Sequence, residues 1–386
     1  MNELLTKQNL EYQAKTREIA QKYIKPVALE LDLNQTYPWE IVKHLQDAGL
    51  MGVWIPKEYG GHSGGVMNLV LIVEELSRAC GGIGVGFAVN ALGSFPIILG
   101  GTEEQKQRFL PDVAAGKKLV AFGLSEKSAG SDAGSLICRA WKDGEHYVLD
   151  GEKKWNTNGT AASTYTIYAS TNPERGGRGI SAFIVEKGAE GFTIPKEEDK
   201  LGIRCIGVAE LLFDKCKIPA DQLLGGTEGR GFMNAMMTLD RARPGVAAQA
   251  LGLAQGALDL TLEYVATANL NGESVSSSQG IQFMLSDMAT QIEAARRLTY
   301  AAAQAIDANA KGVSKLAAMS KLFASDVAMK VTTMATEIFG ELGIIRDTGI
   351  EKYFRDAKIT QIYEGTNQIQ RLVIGRTLLK EAASKA

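Results

Sequence analysis

In the segment DAKITQIYEGTNQIQR, residues 356–371, one carboxylate sits where an apolar stretch gives way to a polar one: Glu364, directly before Gly365 and Thr366. A carboxylate at such a boundary can serve as a general base. The plainer reading makes Gly365 a helix stop and Thr366 the cap of the next helix, with Glu364 a solvated side chain at the junction. Three further stretches carry chemistry-capable residues. Phe122-Gly123-Leu124-Ser125-Glu126-Lys127-Ser128-Ala129-Gly130-Ser131-Asp132 offers backbone N–H groups and serine hydroxyls in a glycine-containing turn, a donor set suited to phosphate oxygens. Lys154-Trp155-Asn156-Thr157-Asn158-Gly159 sets a hydroxyl beside a large ring, and Leu239-Asp240-Arg243-bearing sequence up to Pro244 pairs a cation with an acceptor. Each has a structural counterpart: a self-capped turn, a core tryptophan, and a turn-level ion pair worth little on a surface.

The elements that must position these residues follow from composition and periodicity. The chain has 386 residues, past the size at which a single core stops growing, so two or three domains are expected. Hydrophobic residues make up 45% and charged residues 22%, the balance of a folded globular chain, and a net charge of −2 without basic clusters points away from nucleic acid and anionic membrane surfaces. Cys80, Cys138, Cys205 and Cys216 share no metal-ligand spacing with one another or with His44, His62 and His146, so neither a metal site nor a disulfide framework is expected. The charged N-terminus lacks a signal-peptide core and no window approaches a membrane span, which makes the cytoplasm the default location.

Apolar positions recur at helical spacing from Leu4 to Leu31, with Pro26 at a stop or kink. A second helix is expected from near Pro38 to Gly49, buried helices over 66–80 and 87–99, and another capped by Thr102 with Gln105 in its first turn. At Leu119 the period changes. Short strand-like runs at 119–124, 147–149, 165–169, 181–185 and 210–213 suggest a small antiparallel barrel or sandwich. Beyond Pro219 and the glycines at 225, 226, 229 and 231, alanine-rich helical patterns at 247–262, 283–306 and 316–342 suggest a bundle. The fold class is therefore α+β and multidomain: an N-terminal helical domain over 1–118, a middle β-domain over 119–225 and a C-terminal helical bundle over 226–386.

With their order and separation, the four stretches resemble the acyl-CoA dehydrogenase family, and the likeness runs from Pro56-Lys57-Glu58-Tyr59-Gly60-Gly61 to Arg371. The resemblance implies FAD as cofactor, with Phe122, Leu124, Ser125, Gly130 and Ser131 touching it, Trp155 lying against the isoalloxazine, the Thr157 hydroxyl near N5, and Asn156, Thr366 and Gln368 alongside. It implies an acyl-CoA substrate held by Ser131, Asp240, Arg243 and Gly365, with Arg178 as a weaker contact for CoA phosphate. Phe87, Ala88, Val89, Asn90, Leu92 and Gly93 would lie near the acyl tail, and the lack of charge among them suits an apolar or cyclic acyl group. Glu364 would remove an α-proton as a β-hydride passes to flavin N5, while its own N–H stabilises the thioester oxygen. Electrons would pass to an electron-transferring flavoprotein.

The chain departs from the family pattern where one subunit reaches a neighbour's FAD. Ala266-Thr267-Ala268-Asn269-Leu270-Asn271-Gly272-Glu273 lacks the Arg and Phe of the matching loop, while Glu337 replaces a Gln and Glu341 a glycine in the segment that would cradle the adenosine end. Lys127 stands where Pro is common and Asn156 where an apolar residue is common. A tetramer is expected, with a homologous subunit supplying the missing contacts in one version and a compensated homotetramer in the other. Three other readings remain: an acyl-CoA oxidase, whose chain is normally longer, an enoyl-CoA reductase running the reverse reaction, and a nonenzymatic assembly subunit.

Overall fold

The computed structural model describes residues 5–270 and 272–384; Leu4 and Asn271, which the expectations above include, lie outside the described residues. Thr6 opens the first helix, α1 (Lys7–Ile19), with a reciprocal cap in which its hydroxyl accepts from Asn9 N–H and the Asn9 side chain accepts from Thr6 N–H. A π turn at Ala20–Ile24 leads past Pro26 into α2 (Ala28–Asn34), followed by α3 (Trp39–Asp47). Two helices, α4 (Gly65–Ala79) and α5 (Gly81–Gly100), are buried along almost their whole length, and α6 (Glu103–Ala114) begins at the expected Thr102–Gln105 capping box.

The start of α5 differs from expectation. The helix extends back through Gly81, Gly82, Gly84 and Gly86, where the glycines serve close packing rather than a turn: a Cβ on Gly84 would stand 1.9 Å from Ser77 Oγ and one on Gly86 2.6 Å from Ile206. By length and composition α5 could cross a membrane, contrary to the reading that no window approaches a span, but 83% of that apolar window is buried inside the fold. Its hydrophobicity is that of a core helix.

Seven strands then form one sheet: β1 (Val120–Gly123), β2 (Arg139–Asp143), β3 (His146–Thr157), β4 (Thr164–Ser170), β5 (Ile180–Glu186), β6 (Phe192–Glu197) and β7 (Val208–Pro219). Their order is β1-β4-β2-β3-β7-β6, with β5 also pairing β4. Four of the pairings are antiparallel, whereas β1 and β2 each meet β4 in parallel. Strands β2 and β6 escape the sequence reading because both are largely exposed and bury only one residue each, Ala140 and Phe192, so apolar alternation is missing.

The chain returns to helix with α7 (Gly231–Thr267), longer at both ends than its alanine pattern suggested and carrying Pro244 within it. Then follow α8 (Gln279–Asp307), α9 (Val313–Phe339), α10 (Ile350–Ala357) and α11 (Asn367–Ala383). Small residues let α7 lie almost backbone-to-backbone on α4: a Cβ on Gly252 would stand 2.3 Å from the Glu74 carbonyl, and one on Gly256 equally close to that of Arg78. One apolar core joins α1–α6 to one face of the sheet and to α7, a second fills the bundle, and a third lies within the sheet. The architecture is helical, β, helical, and α5 and α7 carry the ligand-facing surface where the three parts meet.

Candidate active site

A cavity of about 620 Å³ opens between α5, the β1–β2 connection, β3, α7 and the 355–369 segment. Its size matches a small-molecule or cofactor site. Strand β1 ends at Gly123, and the chain then turns through Ser125 and Ser131 beneath the cavity. That turn is pinned from below: Lys153, wholly buried on β3, donates to Glu126 Oε1 at 2.6 Å and to the Leu124 carbonyl at 3.3 Å. Glu126 accepts as well from Ile137 N–H at 2.6 Å and Cys138 N–H at 3.0 Å. A buried pair with its remaining lone pairs satisfied is the arrangement in which such a pair holds geometry.

Trp155 is not the core tryptophan that its strand setting allowed. Between Lys153 and Asn156 the register of β3 against β7 slips, and Trp155 adopts φ 59° in this bulge, with 55% of its surface exposed. A bulge re-aims a side chain; here the indole joins the cavity wall beside Thr157. The hydroxyls of Ser125, Ser131 and Thr157 have no hydrogen-bond partner among the described residues, so three donors are available to a polar ligand.

Opposite them, α10 ends in a 3₁₀ turn at Lys358–Gln361, and the chain passes through Tyr363, Glu364 and Gly365 before Thr366 caps α11, its hydroxyl accepting from Ile369 N–H at 3.3 Å. Both readings of this segment hold together: the Gly–Thr pair starts a helix, and Glu364 still faces the cavity. Glu364 adopts φ 52° and Gly365 φ 91°, so the turn is left-handed at both residues. The Gln370 side chain clamps it, donating to the Glu364 and Gly365 carbonyls at 3.2 and 2.8 Å. Glu364 Oε2 is out of contact with solvent and meets no donor among the described residues. Burial pushes its carboxyl up to about 7, against the pull of Arg243 and Lys321.

Arg243, nearly buried on α7, donates to Asp240 Oδ1 at 2.6 Å, while its Nε has no partner. Burial pulls the guanidinium down, and Asp240 and Glu364 oppose that. Asp240 also accepts from Ser314 Oγ at 3.0 Å and lies behind Arg243, off the cavity wall. Tyr363 donates to Gln249 Oε1, and the Gln249 amide donates to the Gly81 carbonyl at 3.0 Å, tying the turn to α7 and the start of α5.

The structure brings Phe122, Leu124, Ser125, Gly130, Ser131, Trp155, Thr157, Arg243, Glu364, Gly365 and Thr366 onto one cavity. It places others elsewhere. Asn156 points into the sheet, donating to the Ala209 carbonyl at 2.9 Å; Gln368 is exposed on α11; Arg178 is exposed on the 173–179 turn. Of the tail residues, Ala88, Val89 and Leu92 line the cavity, whereas Phe87 packs edge-on against Trp54, Asn90 accepts from Val120 N–H at 3.0 Å, and Gly93 lies under Val120. Sequence reasoning missed Gln249, Tyr363, the Glu126–Lys153 pair and Lys321. Only Lys321 left a signal: it shares the buried α9 face of Ala317, Ala324 and Ala328, where a lysine needs a partner.

A carboxylate with one solvent-shielded oxygen and a raised pKa thus faces unpartnered hydroxyls and an aromatic plane across a largely apolar space. Three family descriptions match this chain in order: acyl-CoA dehydrogenase N-terminal domain over 6–117, middle domain over 121–216 and C-terminal domain over 229–379. The chain belongs to the acyl-CoA dehydrogenase family. Members of this family are oxidoreductases acting on the CH–CH group of acyl-CoA. The probable acyl-CoA dehydrogenase FadE25 of Mycobacterium tuberculosis is 45% identical, covering 97% of this chain and 96% of its own. Butyryl-CoA dehydrogenase from Megasphaera elsdenii superposes with a TM-score of 0.94 at 42% identity, over 97% of this chain and 99% of that one. A chain from the structural study of the electron transferring flavoprotein of Acidaminococcus fermentans gives 0.95 at 46%, over 97% and 98%.

Proposed function

We propose that this acyl-CoA dehydrogenase removes the elements of H₂ across the α and β carbons of a short, apolar acyl-CoA, with Glu364 as the base that takes the α-proton. The observation that carries the reading is the Glu364 carboxylate, one oxygen shielded from solvent and unpartnered, at an apolar cavity wall. Ser125, Ser131 and Thr157 have the free hydroxyls, and Trp155 the exposed face, that FAD requires; Leu124, Gly130 and Thr366 complete its walls. FAD, when bound, supplies the hydride acceptor.

The chain's residues supply the rest. Substrate entry excludes water from Glu364, strengthening it as a base near neutral pH. Glu364 N–H meets no acceptor among the described residues and is available to a thioester oxygen as enolate charge develops. Val85, Ala88, Val89 and Leu92 on α5 give the acyl group an uncharged wall, consistent with the butyryl-CoA activity named for the Megasphaera elsdenii protein. Arg243 and Gly365 remain for the thioester end. Electron transfer to an electron-transferring flavoprotein belongs to the same reading, as does a tetramer in which a homologous subunit completes the FAD site.

The test is E364Q. Turnover of butyryl-CoA with an artificial acceptor should fall at least about 10³-fold, while FAD content and acyl-CoA binding are retained. An E364Q enzyme within tenfold of wild type would remove Glu364 from the base role. A panel including glutaryl-CoA tests the apolar pocket: glutaryl-CoA turning over faster than butyryl-CoA would overturn that assignment.

A further inference from the structure

Lys321 projects from the buried face of α9 and is wholly buried. Its Nζ donates to the Gly365 carbonyl at 2.9 Å and to Asn367 Oδ1 at 2.9 Å. Those acceptors flank Thr366 and belong to the same turn that presents Glu364. Asn367 is held in turn by Ser325 Oγ at 2.9 Å and Asp326 Oδ1 at 2.8 Å, both on α9. A cation seldom occupies a helix-bundle interior unless paired.

We propose that Lys321 is a positioning residue for the reaction: its buried ammonium ties the left-handed Glu364–Gly365 turn to α9 and supplies the positive field in which Glu364 ionises. This rests on Glu364 being the base. The backbone of Glu364, a non-glycine residue at φ 52°, is strained, and such conformations persist where surrounding contacts over-determine them. Gln370 supports the turn from α11 and Lys321 from α9, both donating to the Gly365 carbonyl, and of the two only Lys321 adds charge.

The charged and titratable groups around Lys321 are few. From the turn come Glu364 and its neighbour Tyr363; from α7 come Arg243 and the Asp240 bound to it; from α9 itself comes Asp326, which also accepts from Arg371 of α11 at 3.2 Å. Burial pulls the Lys321 ammonium down to about 7, with Arg243 acting the same way and Glu364 and Asp326 opposing. Lys321 and Glu364 are therefore poised in one pH range: each charge favours the other. Losing the ammonium charge raises the Glu364 pKa, so the acid limb of kcat/KM moves to higher pH.

The experiment uses the FAD-loaded enzyme and four variants, K321M, K321Q, K321R and E364Q, read by infrared difference titration of the protonated-carboxyl band and by pH profiles. The band lost in E364Q reports Glu364. In K321M and K321Q it should titrate about one to two pH units above wild type, and kcat should fall about 10- to 100-fold with little change in KM. In K321R, which keeps the charge, the titration should stay near that of wild type. K321Q carries the same readout if K321M does not fold. A Glu364 band that titrates as in wild type when Lys321 is neutralised would overturn the proposal. The base assignment fails separately, if E364Q turns over, and the band still reports the effect of Lys321 in that case.

Discussion

In the proposed reaction, Glu364 is a residue whose burial is costly to the charged form and useful to a base. Its carboxyl is held up to about 7 from an ordinary 4.5, chiefly by burial. In the proposed base role it works when ionised, so kcat/KM should rise with pH through about 7 and level off above it. For stability the sign is opposite. The native state keeps the proton to higher pH than the unfolded chain, so this group's contribution is fully present below about 4.5 and is lost as pH rises through about 7. Urea unfolding of wild type and E364Q across that range should show the wild type losing roughly 3 kcal/mol relative to the variant. Equal pH dependence in the two proteins would contradict the buried carboxylate. Gly365 is held to the same geometry by its backbone: at φ 91°, an added Cβ would also stand 2.7 Å from Gln370 Nε2. G365A should cost about 1–3 kcal/mol and depress kcat/KM, since it displaces both Glu364 and the backbone proposed for the thioester end.

At the scale of elements, the sequence was most legible where a local rule suffices. The Thr102–Gln105 cap, the change of period at β1 and the long alanine-rich helices are each written in a few neighbouring residues. What stayed hidden depends on partners far along the chain. The glycines at 81–86 fall outside the expected helix until Ser77 and Ile206 are brought against them, and nothing local to Trp155 separates a cavity-wall ring from a core one until β7 pairs out of step with β3. Much of the site could be read because the family motifs lie on the cavity, but Asn156 alternates into the sheet and Gln368 turns outward on α11, facts that only strand register and helix phase decide. The Glu126–Lys153 pair is the plainest omission, joining two elements through charges that look like surface residues in sequence. K153M would strand Glu126 as an uncompensated buried carboxylate and should destabilise by about 3–5 kcal/mol, loosening FAD as the Ser125–Ser131 turn relaxes. Adding E126Q should recover part of that loss. Thermal unfolding of the single and double variants measures the recovery, and a double variant as unstable as the sum of its singles would argue against a coupled pair.

Across the whole molecule, the flavin-proximal and distal parts of the proposed FAD site differ in their chemistry. The cavity end has free hydroxyls and an exposed indole, whereas Glu337 and Glu341 stand exposed at the end of α9, followed by exposed Leu342, Ile344 and Ile345. By the family resemblance this surface would meet a neighbour's FAD, and carboxylates there repel a diphosphate. Each like-charge contact at a partly hydrated distance costs on the order of 1 kcal/mol at physiological salt. Purified alone, the chain should therefore hold well under one FAD per subunit. Removing the charges with E337Q and E341G should raise FAD affinity by about tenfold, more at low ionic strength than at high, because screening already weakens the repulsion in salt. Co-expression with a homologous chain that carries arginine in the loop matching 266–273 should restore the flavin without either substitution. Visible absorption per chain decides between the two assemblies: nearly one FAD per subunit in the isolated wild type, unchanged by E337Q and E341G, would mean that the chain completes its own site and that no second kind of subunit is required.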